Sequence, residues 1–539
     1  MTRDADVVIA GFGPVGQTLA ALLGRLGHRV LVLERQAAMY SKPRAVTLDN
    51  EVMRILAGIG IGEYFEEFCL PSWQYDWRNA SGQTLLHFEF GTEPGSGRPI
   101  NVTFHQPGLE ARLIEQVALL PTVEVRRAST VTGVTDHGDH VVVEYQTANG
   151  ERREVTAKYI VGCDGANSRV REMLDPVIDD RGFFYDWAVL DVLPHDAQRV
   201  AAWEPRNLQI CDPVRPTTVV SAGPGRRRWE FFLLPDETPA QFESDDYAWQ
   251  LLEPWGLHAG NADMERAAVY RFRALCCRTW RRGRLLLAGD AAHLMPPFFG
   301  QGMCSGVRDA ANAAWKLDAV LRGAASEDLL DTYTSERLAH VQFAIGISVE
   351  LGKVICLTDH DAVAARDAAM LAAGGRPDKA LPALPPAALG PGISRRRDDG
   401  TPAPPGPVFT TQGVVGLADG RRGPRDDLVG PGFALGASFD PREHLTPESI
   451  DAFRRLGGTF EQFVPGDAHP TDDGELRQLA DVEGYYLPHM SEAGFVAAIV
   501  RPDYYLFGIA RQAQEVQALL DDLLDQLGAH ALSTAGGAP

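Results

Sequence analysis

Three segments of this chain carry residue types suited to gripping a phosphorylated ligand and to stabilising charge beside it. Gly11-Phe12-Gly13-Pro14-Val15-Gly16 is a glycine turn of the G-x-G-x-x-G kind. Gly162-Cys163-Asp164-Gly165-Ala166-Asn167-Ser168-Arg169 sets an acid in a second glycine turn. Gly289-Asp290-Ala291-Ala292-His293 sets another in a third, and Pro296-Pro297 and Gly300-Gln301-Gly302-Met303 follow it. A glycine turn that opens a helix aims free backbone amides and the positive end of the helix dipole at an anion. Asp290 suits hydrogen bonds from sugar-type hydroxyls, and amides at Gly300–Met303 suit a group that gains negative charge.

These residues need particular elements to position them. Val7-Val8-Ile9-Ala10 reads as a buried strand feeding the first turn. Val15, Leu19, Leu22, Leu23 and Leu26 recur at helical spacing, and Val30–Leu33 reads as a second buried strand ending at Glu34. In this βαβ unit Gly11 permits the tight turn, Gly13 admits a pyrophosphate, and Gly16 lets the helix approach the strand. Pro14 and Val15 open the helix, while Glu34 and Arg35 are placed at a ribose and adenosine. Tyr159–Gly162 and Leu285–Ala288 read as further buried strands, delivering Asp164 and Asp290. A ligand held at both the first and the third turn must be long. FAD meets that requirement, with its adenosine at Gly11–Gly16 and its ribityl chain and flavin at Gly289–Met303.

Between the second and third turns, Leu208–Ile210, Thr217–Val220 and Trp229–Leu234 read as strands of an inserted mixed sheet. The expected division is therefore a discontinuous nucleotide domain at 1–175 and 276–380, interrupted by a substrate-binding sheet at 176–275. The Pro/Gly-rich segment 381–407, with Arg395-Arg396-Arg397 inside it, reads as a linker whose arginines are solvated or locally paired. Residues 408–539 read as a small α/β appendage.

The net charge of −21 argues against nucleic acid or an acidic membrane surface as a partner. The polar start of the chain offers no signal peptide, and no stretch approaches the roughly 20 apolar residues of a membrane helix. Seven scattered cysteines without a C-x-x-C pair read as free thiols of a reducing cytoplasm, and no metal site is expected. An acidic enzyme with an appendage is compatible with a homodimer.

Taken together, these motifs resemble those of the class A, single-component FAD-dependent aromatic hydroxylases, and within them the 3-(3-hydroxyphenyl)propionate and polyketide hydroxylase group. Supporting stretches are Lys42-Pro43-Arg44-Ala45, His105-Gln106-Pro107-Gly108-Leu109-Glu110, Arg227-Arg228-Trp229-Glu230-Phe231, Asp309–Leu317 and Val500-Arg501-Pro502-Asp503. The resemblance implies a p-hydroxybenzoate-hydroxylase type of α/β (α+β) fold, with a Rossmann-like, glutathione-reductase-like FAD domain and a thioredoxin-like C-terminal domain lacking C-x-x-C. It implies that NADH or NADPH reduces FAD and that O2 then forms a flavin hydroperoxide, which hydroxylates a small phenol or polyketide. It places Arg44 and Gln106 at the FAD diphosphate and ribityl region, Asp164 in a supporting role, and Gly289, Asp290, Pro296, Gly300, Gln301, Gly302 and Met303 around the flavin. Pro296, Gly300 and Gly302 would face the reacting flavin; no general base is assigned.

For the substrate, alternation along Arg227–Leu234 puts Trp229, Phe231 and Leu233 on one strand face, and either that face or its opposite lines the pocket. Arg215 and His105 are candidates to pair a substrate carboxylate. Baeyer–Villiger or epoxidising attack stands as an alternative outcome, and a non-catalytic FAD-dependent ligand-binding protein as a second. Trp73-Gln74-Tyr75-Asp76-Trp77 does not match the Trp-x-Trp-x-Ile-Pro signature of flavin halogenases.

Overall fold

The computed structural model describes residues 3–94, 97–203, 206–242, 244–381 and 388–529. A six-stranded sheet runs in the order Arg281–Arg282, Leu285–Leu287, Tyr159–Gly162, Val7–Ala10, Val30–Glu34 and Val123–Arg127. All its pairs are parallel except the first. Ile9 lies between Val161 and Val32, and Val161 faces Leu286, so four distant segments meet in one layer. Their unbroken Val/Ile/Leu composition follows from burial on both faces. Helices Pro14–Arg25, Gln106–Ala118 and Gly302–Leu321 pack beside this sheet, as does an antiparallel sheet of Ser129–Asp136, Val141–Thr147 and Arg152–Ala157.

The second sheet has eight strands: His293–Leu294, Ala262–Cys277, Ile178–Pro194, Arg227–Phe232, Thr217–Ser221, Arg206–Ile210, Gln74–Arg78 and Thr84–Glu89. It extends beyond the expected 176–275, because Gln74–Arg78 adds in parallel to Arg206–Ile210 and Thr84–Glu89 pairs with it in turn. That pairing links positions about 130 residues apart, which local pattern cannot announce. One face buries Trp229, Phe231, Leu190, Val192 and Val219 beneath the helix Asp245–Leu252. The other faces the cavity described below.

The C-terminal part is a seven-stranded mixed sheet, with Thr459–Pro465 parallel to both Ala434–Ala437 and Leu476–Asp481. Its core includes Phe433, Phe453, Leu519 and Leu523 and takes in Trp315 of the helix Gly302–Leu321, whose ring meets Phe433 edge-on at 5.5 Å. The expected linker is packed over its described portion: Leu389, Ile393 and Ser394 are buried, and the Ile393 amide donates to Glu336 at 2.7 Å. Its first part, 382–387, lies outside the described residues. Arg395 and Arg396 are engaged locally, with Asp522 taking a hydrogen bond from the Arg396 amide at 2.9 Å. One helical stretch, Glu327–Ile355, is apolar and long enough by composition to cross a membrane, which the sequence reading did not anticipate. Here it buries Glu336, Arg337 and His340 against other parts of the protein.

Candidate active site

The first glycine turn connects strand Val7–Ala10 to helix Pro14–Arg25. At Gly11 (φ +99°) an added Cβ would lie 2.5 Å from the Cys163 carbonyl oxygen, so this turn and the second one are in backbone contact. At Gly13 an added Cβ would meet only Arg44 Nη2, at 3.9 Å, which leaves a backbone-lined hollow beneath a guanidinium. Glu34 receives the Phe12 amide (2.6 Å) and the Gln36 amide (2.7 Å), so its carboxylate both braces the turn and lines the cavity. Arg35 lines the same end.

Asp164 turns onto its own loop. It accepts from Ser168 Oγ (2.5 Å) and from the amides of Arg169 (2.7 Å) and Val170 (3.2 Å). Arg171 then donates to the carbonyls of Asp290 (3.2 Å) and Ala291 (3.1 Å), clamping the second turn to the third. Gln106 is a brace as well: its Oε1 takes the amides of Arg44 (3.0 Å) and Ala45 (2.7 Å), and its Nε2 donates to Glu110 (2.7 Å).

At the third turn, Asp309 accepts from the Gly289 amide (3.0 Å), His293 Nε2 (2.7 Å) and Arg337 Nε (2.8 Å). Burial alone would raise the Asp309 carboxyl, but His293 and Arg337 hold it below its usual range. Asp290 is different. Its carboxylate accepts no hydrogen bond from any described residue; burial pushes that carboxyl up while His293, Arg44 and Arg171 pull against it. It is open to the cavity but surrounded by protein, the situation of a carboxylate awaiting hydroxyl donors. Ser348 Oγ donates to the Pro296 carbonyl at 2.5 Å, and Gly300 (φ +67°) closes the short turn Pro297–Phe299 before the helix Gly302–Leu321. Pro297, Gly300, Gln301, Gly302 and Met303 line the cavity. The Gln301 side chain is taken up by Asp49 (3.0 Å) and Arg308 (2.9 Å), so any contact it makes with a ligand is through its backbone.

One cavity of about 2080 Å³ joins all three turns to the inner face of the eight-stranded sheet. A single drug-sized pocket has about 300–1000 Å³, so this one has room for a dinucleotide together with a second small ligand. The hollow at Gly13 under Arg44 and the bare carboxylate of Asp290 at the far turn fit the diphosphate and ribityl chain of FAD.

The sheet end of the cavity is aromatic: Tyr75, Trp77, Phe88, Tyr270, Phe272 and Phe298 line it. Of the two faces that the sequence left open on strand Arg227–Phe232, the one carrying Arg228 and Glu230 lines the cavity. Trp229 and Phe231 point into the opposite core, where Trp229 meets Trp203 and Trp255 edge-on, so they are not pocket residues. Arg215 is also removed from the cavity, bound to Glu237 at 2.6 Å. His105 caps the helix Gln106–Ala118 outside the cavity lining; burial, and then Arg226, lower it to about 4, so it is neutral and unsuited to pair a carboxylate at neutral pH. Trp229 and Phe231 were substrate candidates because they are aromatic, but the cavity side of this strand is the charged one. Arg228 donates to Asp191 (2.6 and 2.9 Å) and to the Arg44 carbonyl (2.5 Å), tying the sheet to the loop under the first turn. The charged residues Arg227, Arg228 and Glu230, all buried within one short strand, were the available signal. Among the described residues no cluster of metal-ligating side chains occurs.

The model of the FAD binding domain family matches residues 4–347, and that of the HcaD C-terminal domain matches 408–526. A probable NADH-specific resorcinol 4-hydroxylase of Rhodococcus jostii is 38% identical over 97% of this chain and 95% of its own length. A 3-(3-hydroxy-phenyl)propionate/3-hydroxycinnamic acid hydroxylase of Mycolicibacterium smegmatis is 33% identical over 96% and 93%. Among solved structures, the flavin-dependent monooxygenase PieE in complex with FAD and substrate superposes with a TM-score of 0.77 at 21% identity, covering 98% of this chain and all of that one. That likeness is one of fold.

Proposed function

The chain belongs to the class A FAD-dependent aromatic monooxygenases, and on that premise we propose that it hydroxylates a small uncharged phenol such as resorcinol, with NADH as electron donor. The observation that carries the reading is the single cavity in which a dinucleotide cradle and an aromatic sheet face meet. Bound FAD supplies electron transfer from the nicotinamide and the activation of O2. The protein's residues do the rest. Gly13 and Arg44 receive the diphosphate, Glu34 and Arg35 the adenosine end, and Asp290 the ribityl hydroxyls. The backbone at Gly300–Met303 and the helix it opens offer amides to charge that builds on the flavin. Phe298, Phe272, Tyr270, Trp77 and Phe88 hold the substrate ring and exclude water.

The preference for an uncharged phenol over a carboxylated one has two supports. The 38% identical relative is named for resorcinol. Cationic side chains that line the substrate end are also engaged: Arg228 with Asp191, and the exposed Arg271 and Arg273 with Asp186 and Asp180. NADH is favoured by the same relative's printed specificity.

Anaerobic stopped-flow absorbance tests this reading. Flavin bleaching by NADH and by NADPH is followed alone and with resorcinol, phenol, 3-(3-hydroxyphenyl)propionate and polycyclic phenols. Resorcinol or phenol should accelerate bleaching by NADH and yield one hydroxylated product per NADH in air. A response only to the carboxylated phenol would overturn the substrate assignment. A protein that binds no FAD would overturn the whole reading.

A further inference from the structure

We propose that Glu230 is the catalytic base of the reaction, taking the proton from the substrate's phenolic hydroxyl. The proposal rests on the reading of the cavity as a phenol site and names a residue for a step that the motifs leave unassigned.

Glu230 stands directly opposite Thr218, Thr218 opposite Gln209, and Gln209 opposite Trp77, so one register line crosses four strands. All four side chains line the cavity. The Gln209 amide is oriented by Nε2, which donates to the Thr217 carbonyl at 3.2 Å. Its Oε1 therefore accepts, and it receives Thr218 Oγ1 (2.7 Å) and Tyr75 Oη (3.2 Å). Both hydroxyls have committed their protons to Gln209 and offer the cavity only lone pairs. A wall of acceptors receives a ligand that brings its own O–H groups.

At the end of this row the Glu230 carboxylate is held only loosely, by a long ion pair with Arg228. Its nearest cation is Arg228 Nη1 at 3.5 Å, and that guanidinium is already committed to Asp191 and to the Arg44 carbonyl. The Glu230 side chain is 12% exposed and lines the cavity. The other titratable groups around it are Asp191, Arg266 and Tyr75, on the strands Ile178–Pro194, Ala262–Cys277 and Gln74–Arg78. Burial pushes the carboxyl up, Arg228 and Arg266 pull it down, and Asp191 pushes it up again; the net is a raised value, which makes it a stronger base. The row also adjoins the flavin-facing turn. Arg228 holds the Arg44 carbonyl, and three residues on, Thr47 lies 3.5 Å from where a Cβ of Gly300 would be.

In the step, the phenol O–H bond breaks and an O–H bond forms on Glu230, while the electron pair stays on the phenolic oxygen. No oxidation state changes. The resulting phenolate pushes charge into the ring, activating the positions ortho and para to it for attack by an electrophilic oxygen.

The test uses the FAD-loaded full chain with resorcinol, comparing native enzyme, E230Q and T218V. E230Q should bind FAD and still be reduced by NADH, but form product on the order of 100-fold more slowly at neutral pH. Its kcat/KM should lose the acid limb seen in the native enzyme and climb with pH as resorcinol ionises in solution. The difference absorbance of bound resorcinol should show phenolate in the native enzyme at a pH where E230Q binds only the neutral phenol. T218V should raise KM and keep the native pH profile. An E230Q enzyme with the native pH profile and rate, or with only a raised KM, overturns the assignment of Glu230 as base. No product from native enzyme with any phenol overturns this proposal and the functional reading together.

Discussion

At the scale of single residues, the site separates groups that brace from groups that wait for a ligand. Glu34, Gln106, Asp164 and Gln301 were expected at the cofactor, and each spends side-chain atoms on holding a turn in place. Asp290 spends none on any described residue and faces the cavity. Asp290→Asn should therefore keep the fold and weaken FAD binding. A carboxylate accepting hydroxyl donors forms bonds worth about 1.5–3 kcal/mol, equivalent to roughly a 10- to 100-fold rise in Kd. Flavin fluorescence titration of the apoprotein checks this, and an unchanged Kd would move the ribityl contact elsewhere. The cofactor residues were legible because glycine turns and acids at strand ends are local patterns. The sheet wall of the cavity was not, since it is assembled across strands whose neighbours in space are as distant in sequence as Gln209 and Trp77.

At the scale of elements, the helix Gly302–Leu321 does two jobs. Its N-terminus follows the cavity-lining turn Pro297–Phe299, and seven residues into it Asp309 ties back to the Gly289 amide, His293 and Arg337. Removing one charge from this buried set leaves the Arg337 guanidinium short of its partner, and breaking a buried ion pair costs about 3–5 kcal/mol. Asp309→Asn should lower Tm substantially and weaken FAD retention in the same protein, read by thermal unfolding followed through flavin release. Loss of FAD without a change in Tm would mean that Asp309 acts on the turn alone. The apolar character of Glu327–Ile355 belongs to this scale too: it is a core helix whose Glu336 and Arg337 meet partners on the helix Gly302–Leu321, the proline-rich strap and the C-terminal domain.

At the scale of the whole molecule, those segments converge on Glu336. Lys316 Nζ (2.8 Å), Arg501 (3.0 and 2.8 Å), Asn312 Nδ2 (2.8 Å) and the Ile393 amide (2.7 Å) all donate to it, joining the nucleotide domain, the proline-rich strap and the C-terminal domain. Burial would raise this carboxyl, but Arg501 and Lys316 hold it at about 2, against an ordinary 4.5. A depressed carboxylate contributes stability that is present above the unfolded value and lost as pH falls through the folded one. The protein should thus lose roughly 3 kcal/mol from this group alone between about pH 4.5 and pH 2. Urea unfolding across that range measures the loss, and Glu336→Gln should flatten it. An equally steep acid loss in the variant would assign it to other carboxylates. The sequence by itself determined the cofactor, the nucleotide-binding strands and the family, because these depend on short patterns whose backbone geometry is set within a few residues. Tertiary structure alone decided which face of Arg227–Phe232 lines the cavity, that Gln74–Arg78 joins that sheet, and that the described part of the proline-rich segment is packed. Each of those depends on pairing and burial between residues far apart in the chain, where alternation fixes that two faces differ but not which one is inside.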